Sequence, residues 1–360
     1  MAPQINIQQQ FNDNILSSEK QKRSSYITVF SPGISINTVR SNSQYSLLYN
    51  GQLGQYINSH EDDYIDQQIQ ADMRLNTSHR SHIKTQAKYL FLHQDRGTGF
   101  TKGSGASIKH PDKYNIRQLG AIYTYGSEES TGRIELGVYG FAQRYENRLG
   151  TIFLGNRNHI DTRATFFFHI RPKTSLLFEL RNTKIDYRIE TASASLDNSE
   201  RRLLLGAIWD VTAITSGIAK FGVLNKDFVS SAHRNFTGFS WEAGVRWSPL
   251  TYSIFNIQTF SKTEETLGTG NFIETKTVSA SWDHDWHKQF NSMITGAVTK
   301  NSFKPTKHAE GIWSIGFRLR YKMRRWLNLS AEISHSERLS TQLGLDYARN
   351  LLILDVLVKI

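Results

Sequence analysis

The segment Trp313-Ser314-Ile315-Gly316-Phe317-Arg318-Leu319-Arg320-Tyr321-Lys322 constrains this chain more than any other. Its odd positions hold Trp, Ile, Phe, Leu and Tyr, and its even positions hold Ser, Gly, Arg, Arg and Lys. Neighbouring side chains of a strand point to opposite faces, so as a strand the segment has one apolar, aromatic face and one small or cationic face. As a helix it would give its three cations no common face. The segment is a strand, and its alternation recurs from one end of the chain to the other with no helical stretch to pack against. A transmembrane barrel, apolar toward lipid and polar toward a lumen, satisfies that pattern.

Composition agrees. Only 38% of residues are hydrophobic, and no run approaches the ~18 apolar residues of a membrane helix; barrel strands hide their apolar half in alternation. Aromatic residues are abundant (15 Tyr, 20 Phe, 7 Trp) and proline is scarce at 6, which suits many strands with aromatic belts at two membrane interfaces. The absence of cysteine excludes disulfides, thiolate chemistry and Cys-based metal sites together. The chain begins Met1-Ala2-Pro3-Gln4 with no basic, apolar leader; the barrel reading implies a removed signal peptide and a Met1 added for expression. The formal charge of +11 fits nucleic acid, an anionic membrane surface or an anionic solute. The longest basic clusters, Lys20-Gln21-Lys22-Arg23 and Met323-Arg324-Arg325, are short. A nucleic-acid partner would show a clustered patch or motif, so none is expected.

In order, the alternating segments are Gln4–Asp13, Ser25–Val39, Gln44–Tyr56, Tyr64–Thr77, Ile83–Gln94, Ile116–Tyr125, Arg133–Tyr145, Ile160–Arg171 and Ser175–Arg188. They continue as Arg201–Val211, Ile218–Phe228, Phe236–Trp247, Thr251–Ser261, Phe272–Trp286, Gln289–Asn301, Gly311–Lys322, Leu327–Ser336 and Tyr347–Ile360. The phase slips near Asn182, which predicts a bulge there. The expected fold is all-β: one transmembrane antiparallel β-barrel of about eighteen strands, or about sixteen in the alternative count. Tight breaks (Pro172-Lys173-Thr174, Thr215-Ser216, Ser248-Pro249, Arg324-Arg325) alternate with long ones (Asp95–Tyr114, Asn147–Asn158, Glu190–Asn198, Thr263–Gly270). Short periplasmic turns and long outer loops give this rhythm and place both termini in the periplasm. No linker or shift of composition divides residues 1–360, so a single domain is expected.

Trp241 with Trp247, and Trp282 with Trp286, share parity toward opposite ends of their segments, as two lipid-interface belts require. On the opposite, inner face the basic candidates are Arg74, Lys84, Lys88, His169, Arg171, Arg181, Arg202, Lys220, Arg246, Arg318, Arg320 and Lys322. Acids such as Glu179, Glu242 and Glu332 share that face, so a ladder of ion pairs stiffening the wall accounts for most of them. The sharper reading is a net positive conduit whose low-dielectric wall focuses the field of unpaired cations on an anionic solute. Arg318, Arg320 and Lys322 have no acid within their own strand and are the foremost contact candidates. The long break carries Arg96, Lys102, Lys109 and Lys113 among glycines and lacks a Walker-type phosphate loop. It is read as an outer loop that folds into the lumen as a constriction, with a solvated loop as the plain alternative. His284-Asp285-Trp286-His287 finds no third metal ligand, no Ser/His pair falls together, and neither metal, cofactor nor catalytic residue is expected.

Two stretches carry a family likeness: Phe11-Asn12-Asp13-Asn14-Ile15 with Tyr26-Ile27-Thr28-Val29-Phe30-Ser31-Pro32-Gly33-Ile34, and the ending Asp346-Tyr347-Ala348-Arg349-Asn350. With their YxDN-like opening, SPG strand and YxRN ending they resemble the β-barrel outer-membrane proteins of bacterial exopolysaccharide clusters, the type 2 β-barrel porins. Phe11 stands where that pattern has Tyr, and Ile360 where an aromatic terminal residue is commoner. The resemblance implies an outer-membrane conduit through which a secreted polysaccharide leaves the cell, and the positive bias of the inner wall would suit an anionic polymer. It also implies a periplasmic polysaccharide-export partner, the barrel-assembly machinery and the lipid bilayer as partners. A diffusion porin for small anions or oligosaccharides is the alternative, which a fixed narrow eyelet made by an inward loop would favour. A barrel enzyme is the third reading.

Overall fold

Each alternating segment becomes a strand. In the computed structural model, which describes residues 1–127, 129–147, 152, 155–188, 195–212, 214–266 and 268–359, the first nine are β1 (Ala2–Asn12), β2 (Ser25–Arg40), β3 (Ser43–Tyr56), β4 (Tyr64–Ser78), β5 (Ser81–Gln94), β6 (Asp112–Tyr125), β7 (Gly132–Tyr145), β8 (Arg157–Arg171) and β9 (Thr174–Tyr187). The second nine are β10 (Asn198–Thr212), β11 (Thr215–Phe228), β12 (Phe236–Leu250), β13 (Ser253–Glu265), β14 (Phe272–His287), β15 (Phe290–Lys304), β16 (Ala309–Lys322), β17 (Leu327–Ser340) and β18 (Tyr347–Lys359). Every strand pairs antiparallel with its chain neighbours, and β1 pairs with β18 from Gln4↔Lys359 to Asn12↔Leu351. The sheet is a closed eighteen-stranded barrel, which leaves no free edge. The start of β1 and the end of β18 share one rim with the tight turns, and the long connections make the other rim.

Three expectations need correction. The registers of β9 with β8 and β10 run unbroken through Asn182, paired with Thr162 and Arg201. The apparent slip arises because Leu177 and Ile185 are apolar yet point inward, where they are buried. Register shifts lie instead beside tight turns, at Asn76/Ser78, His169/Arg171, Trp209/Thr212, Trp247/Leu250 and Asp285/His287. Lys113 is the second residue of β6 rather than part of the long connection, which ends at residue 111. Trp282 and Trp286 both sit near the tight-turn rim, with Trp209, Trp247 and Trp326, while Trp241 and Trp313 mark the other apolar boundary. Ile360, and parts of the breaks at Asn147–Asn158 and Glu190–Asn198, lie outside the described residues.

The outer wall is apolar. Leu136, Val138, Phe166, Leu180, Phe221, Val298, Ile315 and Leu354 are exposed on one parity of their strands, where lipid rather than water satisfies them. The motif stretches explain themselves locally. Proline has no N–H to give a ladder, and the β2–β3 register skips from Phe30↔Leu53 to Gly33↔Asn50 around Pro32. A Cβ on Gly33 would come within 2.8 Å of the Asn50 Oδ1. The opening and the ending meet across the β1–β18 seam. The Asp13 carboxylate accepts from the Asn350 backbone N–H (2.7 Å) and Nδ2 (2.6 Å). The Asn14 Nδ2 donates to the carbonyl of Ala348 at 3.0 Å. Just inside this seam Ile15 and Leu16 turn inward onto Ile27, Val29 and Tyr56, a small apolar core beneath the long-connection rim.

Candidate functional site

The inward parity lines the lumen, and the first feature met from the long-connection rim is the segment 95–111. Glycine makes its path possible: Gly97, Gly99 and Gly103 have φ of 81°, 52° and 75°, a region that side chains rarely adopt. A Cβ on Gly97 would fall 1.6 Å from the carbonyl oxygen of Leu16. The segment is pinned near its origin by Arg96, whose Nε and Nη2 donate to the two oxygens of Asp62, each at 2.6 Å. Arg96 Nη1 also donates to the carbonyl of Ile108 at 2.7 Å. Bidentate, charge-assisted bonds of this kind are the strong ones. Next to Asp62, the Glu61 carboxyl is held at about 2 by its own backbone N–H and by Arg23 and Arg96.

The far pin is on another wall. Lys102 Nζ donates to both oxygens of Glu310, at 3.1 and 3.0 Å, and the Glu310 side chain is 0% exposed. The ammonium lies 5.5 Å from the centre of the Phe303 ring, on which His308 stacks at 4.1 Å. Burial pushes the Lys102 ammonium below its ordinary value, with Glu310 opposing. It does the same to the His308 imidazole. Between the pins, Phe100 meets Tyr145 of β7 edge-on at 5.5 Å. β7 and β16 are half-way round the ring from one another, so the segment is a strap across the mouth. Of the four cations expected in a constriction, Lys102 and Arg96 are its pins, Lys109 is exposed, and Lys113 belongs to β6.

On the β9–β12 wall the cations are paired. Arg181 bridges Glu179 (2.5 Å) and Glu242 (3.0 Å), Arg202 bridges Glu200 (2.5 Å) and Glu242 (3.5 Å), and Lys220 bonds Glu242 and, at 3.3 Å, Glu179. Above them Lys226, 0% exposed, bonds Glu265 at 2.6 Å, and Glu265 also accepts from the Tyr187 hydroxyl at 2.5 Å. Removing one partner of such a buried pair costs ~3–5 kcal/mol. For Arg181, Arg202 and Lys220 the stiffening ladder is therefore the right reading. Arg318 joins them: its acid comes from the next strand, Glu332 of β17, at 2.5 Å.

The tight-turn half differs. Arg74 and Lys84 line a cavity of about 880 Å³ with Asn76, His82, Arg133 and Glu135. Among the described residues the side chains of Arg74, Lys84, Arg171, Arg246, Arg320 and Lys322 make no hydrogen bond or ion pair. Lys88, opposite Gln70 and Gln118, likewise makes none, and lies within the field of Asp72. Of the acids at this level, Glu135 takes Arg133 at 3.6 Å, and Asp283 and Asp285 hold Asn291 at 2.8 and 3.0 Å. Sequence reasoning missed Asp62, Glu310 and the Lys226–Glu265 pair. Glu310 shares the even parity of Arg318 and Arg320, a signal that was available; its partner is 208 residues away and was not. Among the described residues no three His, Cys, Asp or Glu side chains converge to hold a metal.

Comparison with solved structures gives the same architecture. The structure of Pseudomonas aeruginosa OpdK with vanillate is similar at a TM-score of 0.53, with 10% identity over 100% of this chain and 98% of that one. P. aeruginosa OccK2 (OpdF) in complex with glucuronate is similar at 0.54, with 10% identity and the same coverage. OccK11 (OpdR) of that organism reaches 14% identity at 0.51, over 100% of this chain and 96% of its own. No curated protein matches the chain. The family described as putative beta-barrel porin 2 matches residues 1–360, and with its closed barrel, apolar outer wall and polar lumen the chain belongs to that porin family.

Proposed function

We propose that the barrel is a passive outer-membrane channel for small anionic solutes, its long-connection rim outside the cell and its tight-turn rim in the periplasm. The observation that carries this reading is the strap: a segment fixed to two walls by buried charges narrows the mouth while it is seated, which suits small solutes and obstructs a polymer. Below it the unpaired cations Arg74, Lys84, Arg246, Arg320 and Lys322 supply a positive field along a low-dielectric wall. Weak, distributed contacts of that sort favour passage over capture. The neighbours crystallised with vanillate and with glucuronate, both carboxylates, are in keeping with it. Export of an anionic polysaccharide with a periplasmic partner is the reading that the motif stretches favour, and it requires the strap to lift.

Reversal potentials in planar bilayers under a salt gradient test the proposal. The channel is expected to prefer anions, and Arg320→Ser with Lys322→Ser to lower the anion-to-cation permeability ratio roughly 3-fold. Preference for cations, or no change in the double variant, refutes it. Polymer trapped in the periplasm of a deletion strain would decide for export.

A further inference from the structure

The outer wall carries one site that neither the channel nor the barrel requires. The β12–β13 ladder stops at Trp241↔Ser261. β12 nevertheless continues to Phe236 at the long-connection rim, and β13 continues to Glu265, paired with Phe272 of β14. The seam therefore forks. At its base Ser240 Oγ donates to the carbonyl of Ser261 at 2.9 Å.

Beside the fork the apolar band ends in Val278, Val298 and Trp313, all exposed on the outer parity. The next outward row is Lys276, Lys300 and Gly311, with Lys276 and Lys300 directly opposed across β14–β15 and Gly311 opposite Lys300. Like charges directly opposed repel and destabilise a ladder. Lys276 lies 5.9 Å from the Trp241 ring centre and 2.7 Å from Glu274, which also reaches Lys304 at 3.8 Å. Lys300 makes no hydrogen bond or ion pair among the described residues. A Cβ at Gly311 would meet nothing within 4 Å, so the wall beside Lys300 is notched. Three lysines stand against Glu274 at the edge of the lipid-facing band, between Trp241 and Trp313, while the other acid nearby, Glu337, lies beyond the notch and accepts from the Trp313 indole N–H at 2.9 Å; such a cluster lies where lipid headgroups would.

We infer that this notch holds the phosphate of an anionic lipid headgroup in the leaflet next to the long connections. The phosphate oxygens sit between Lys276 and Lys300 and relieve their repulsion, with the acyl chains running down over Val278 and Val298. The inference needs only that the apolar band lies in a bilayer, and it is independent of what the lumen conducts.

The full-length protein is reconstituted in nanodiscs of phosphatidylcholine alone, or doped with phosphatidylglycerol or with a diphosphorylated glucosamine glycolipid. Lipid retained after detergent extraction is then counted by native mass spectrometry. Wild type is expected to retain at least one of the two anionic lipids over phosphatidylcholine, and Lys276→Gln with Lys300→Gln to weaken that retention about 30-fold. Which anionic lipid is held names the source of the phosphate. Equal retention by wild type and double variant, or no preference over phosphatidylcholine, overturns the inference. Should the double variant not insert, Lys300→Met, which keeps the apolar stem, gives the same comparison. Because both lysines lie outside the lumen, ion selectivity should stay unchanged, so failure here is distinguishable from failure of the channel reading.

Discussion

Replacing Lys102 by Met should free the strap at its far end. The substitution keeps the stem that lies against Phe303 and removes the ammonium that bonds both oxygens of Glu310. Glu310 is then a fully enclosed carboxylate whose remaining charged neighbours among the described residues are His308 and Arg338. Breaking one side of a buried pair costs ~3–5 kcal/mol, chiefly through the charge left behind. That charge regains water only if the strap lifts, so the cost falls on the seated state alone. A shift of ~3 kcal/mol changes the seated-to-lifted ratio by ~150-fold. In single-channel recordings the variant should spend most of its time in a larger, noisier conductance that wild type visits rarely. Adding Glu310→Gln removes the stranded charge and should bring back much of the seated occupancy. If Lys102→Met conducts like wild type, the strap is held by other contacts and the two-pin account is wrong.

Three further outcomes follow from the same geometry. Burial lowers the His308 imidazole beneath its ordinary value, against Glu310 and beside Lys102 and Arg338. Its contribution to the far pin is therefore whole above about pH 6.5 and declines as pH falls below that. Lifted-state occupancy should rise on acidification, and His308→Gln should blunt the rise. Glu265→Gln leaves the buried ammonium of Lys226 only the more distant Glu200, at 3.8 Å, and should cost up to ~3 kcal/mol, read as a lower melting temperature in detergent; an unchanged melting temperature contradicts the pairing. Gly97→Ala places a methyl against the Leu16 carbonyl at a positive φ and should unseat the strap, raising conductance while leaving barrel content by circular dichroism unaltered.

The period of two was enough to place eighteen strands, because alternation is a local property and each strand carries it independently. The rhythm of tight and long breaks likewise located both rims. Partnership across strands was harder. Within β16 the one acid, Glu310, lies eight residues from Arg318 toward the other rim, and only the β16–β17 register brings Arg318 opposite Glu332. Lys102 and Glu310 meet because a strap crosses the mouth, a long-range fact that no window of sequence contains. Asn182 misled because the usual alternation expects polar residues on the inner face, whereas Leu177 and Ile185 point inward at places where neighbouring side chains bury them. The fork between β12 and β13 is silent in the sequence, since both strands keep their alternation on either side of it.

The contact of Asp13 and Asn14 with Ala348 and Asn350 joins the first strand to the last. A chain emerging from its N-terminus makes β1 first and must then hold it, with one edge bare, through every other strand. The carboxylate of Asp13 cannot find Asn350, nor the amide of Asn14 add Ala348 to its local bond with Ser18, until the last strand arrives. They act as a clasp whose halves are the earliest and latest parts of the barrel. A chain cut short before β18 would keep sixteen good hairpin pairings and a lumen-facing polar wall, yet stay an open sheet with an unlatched hem, recognisable to any protease that grips exposed edges.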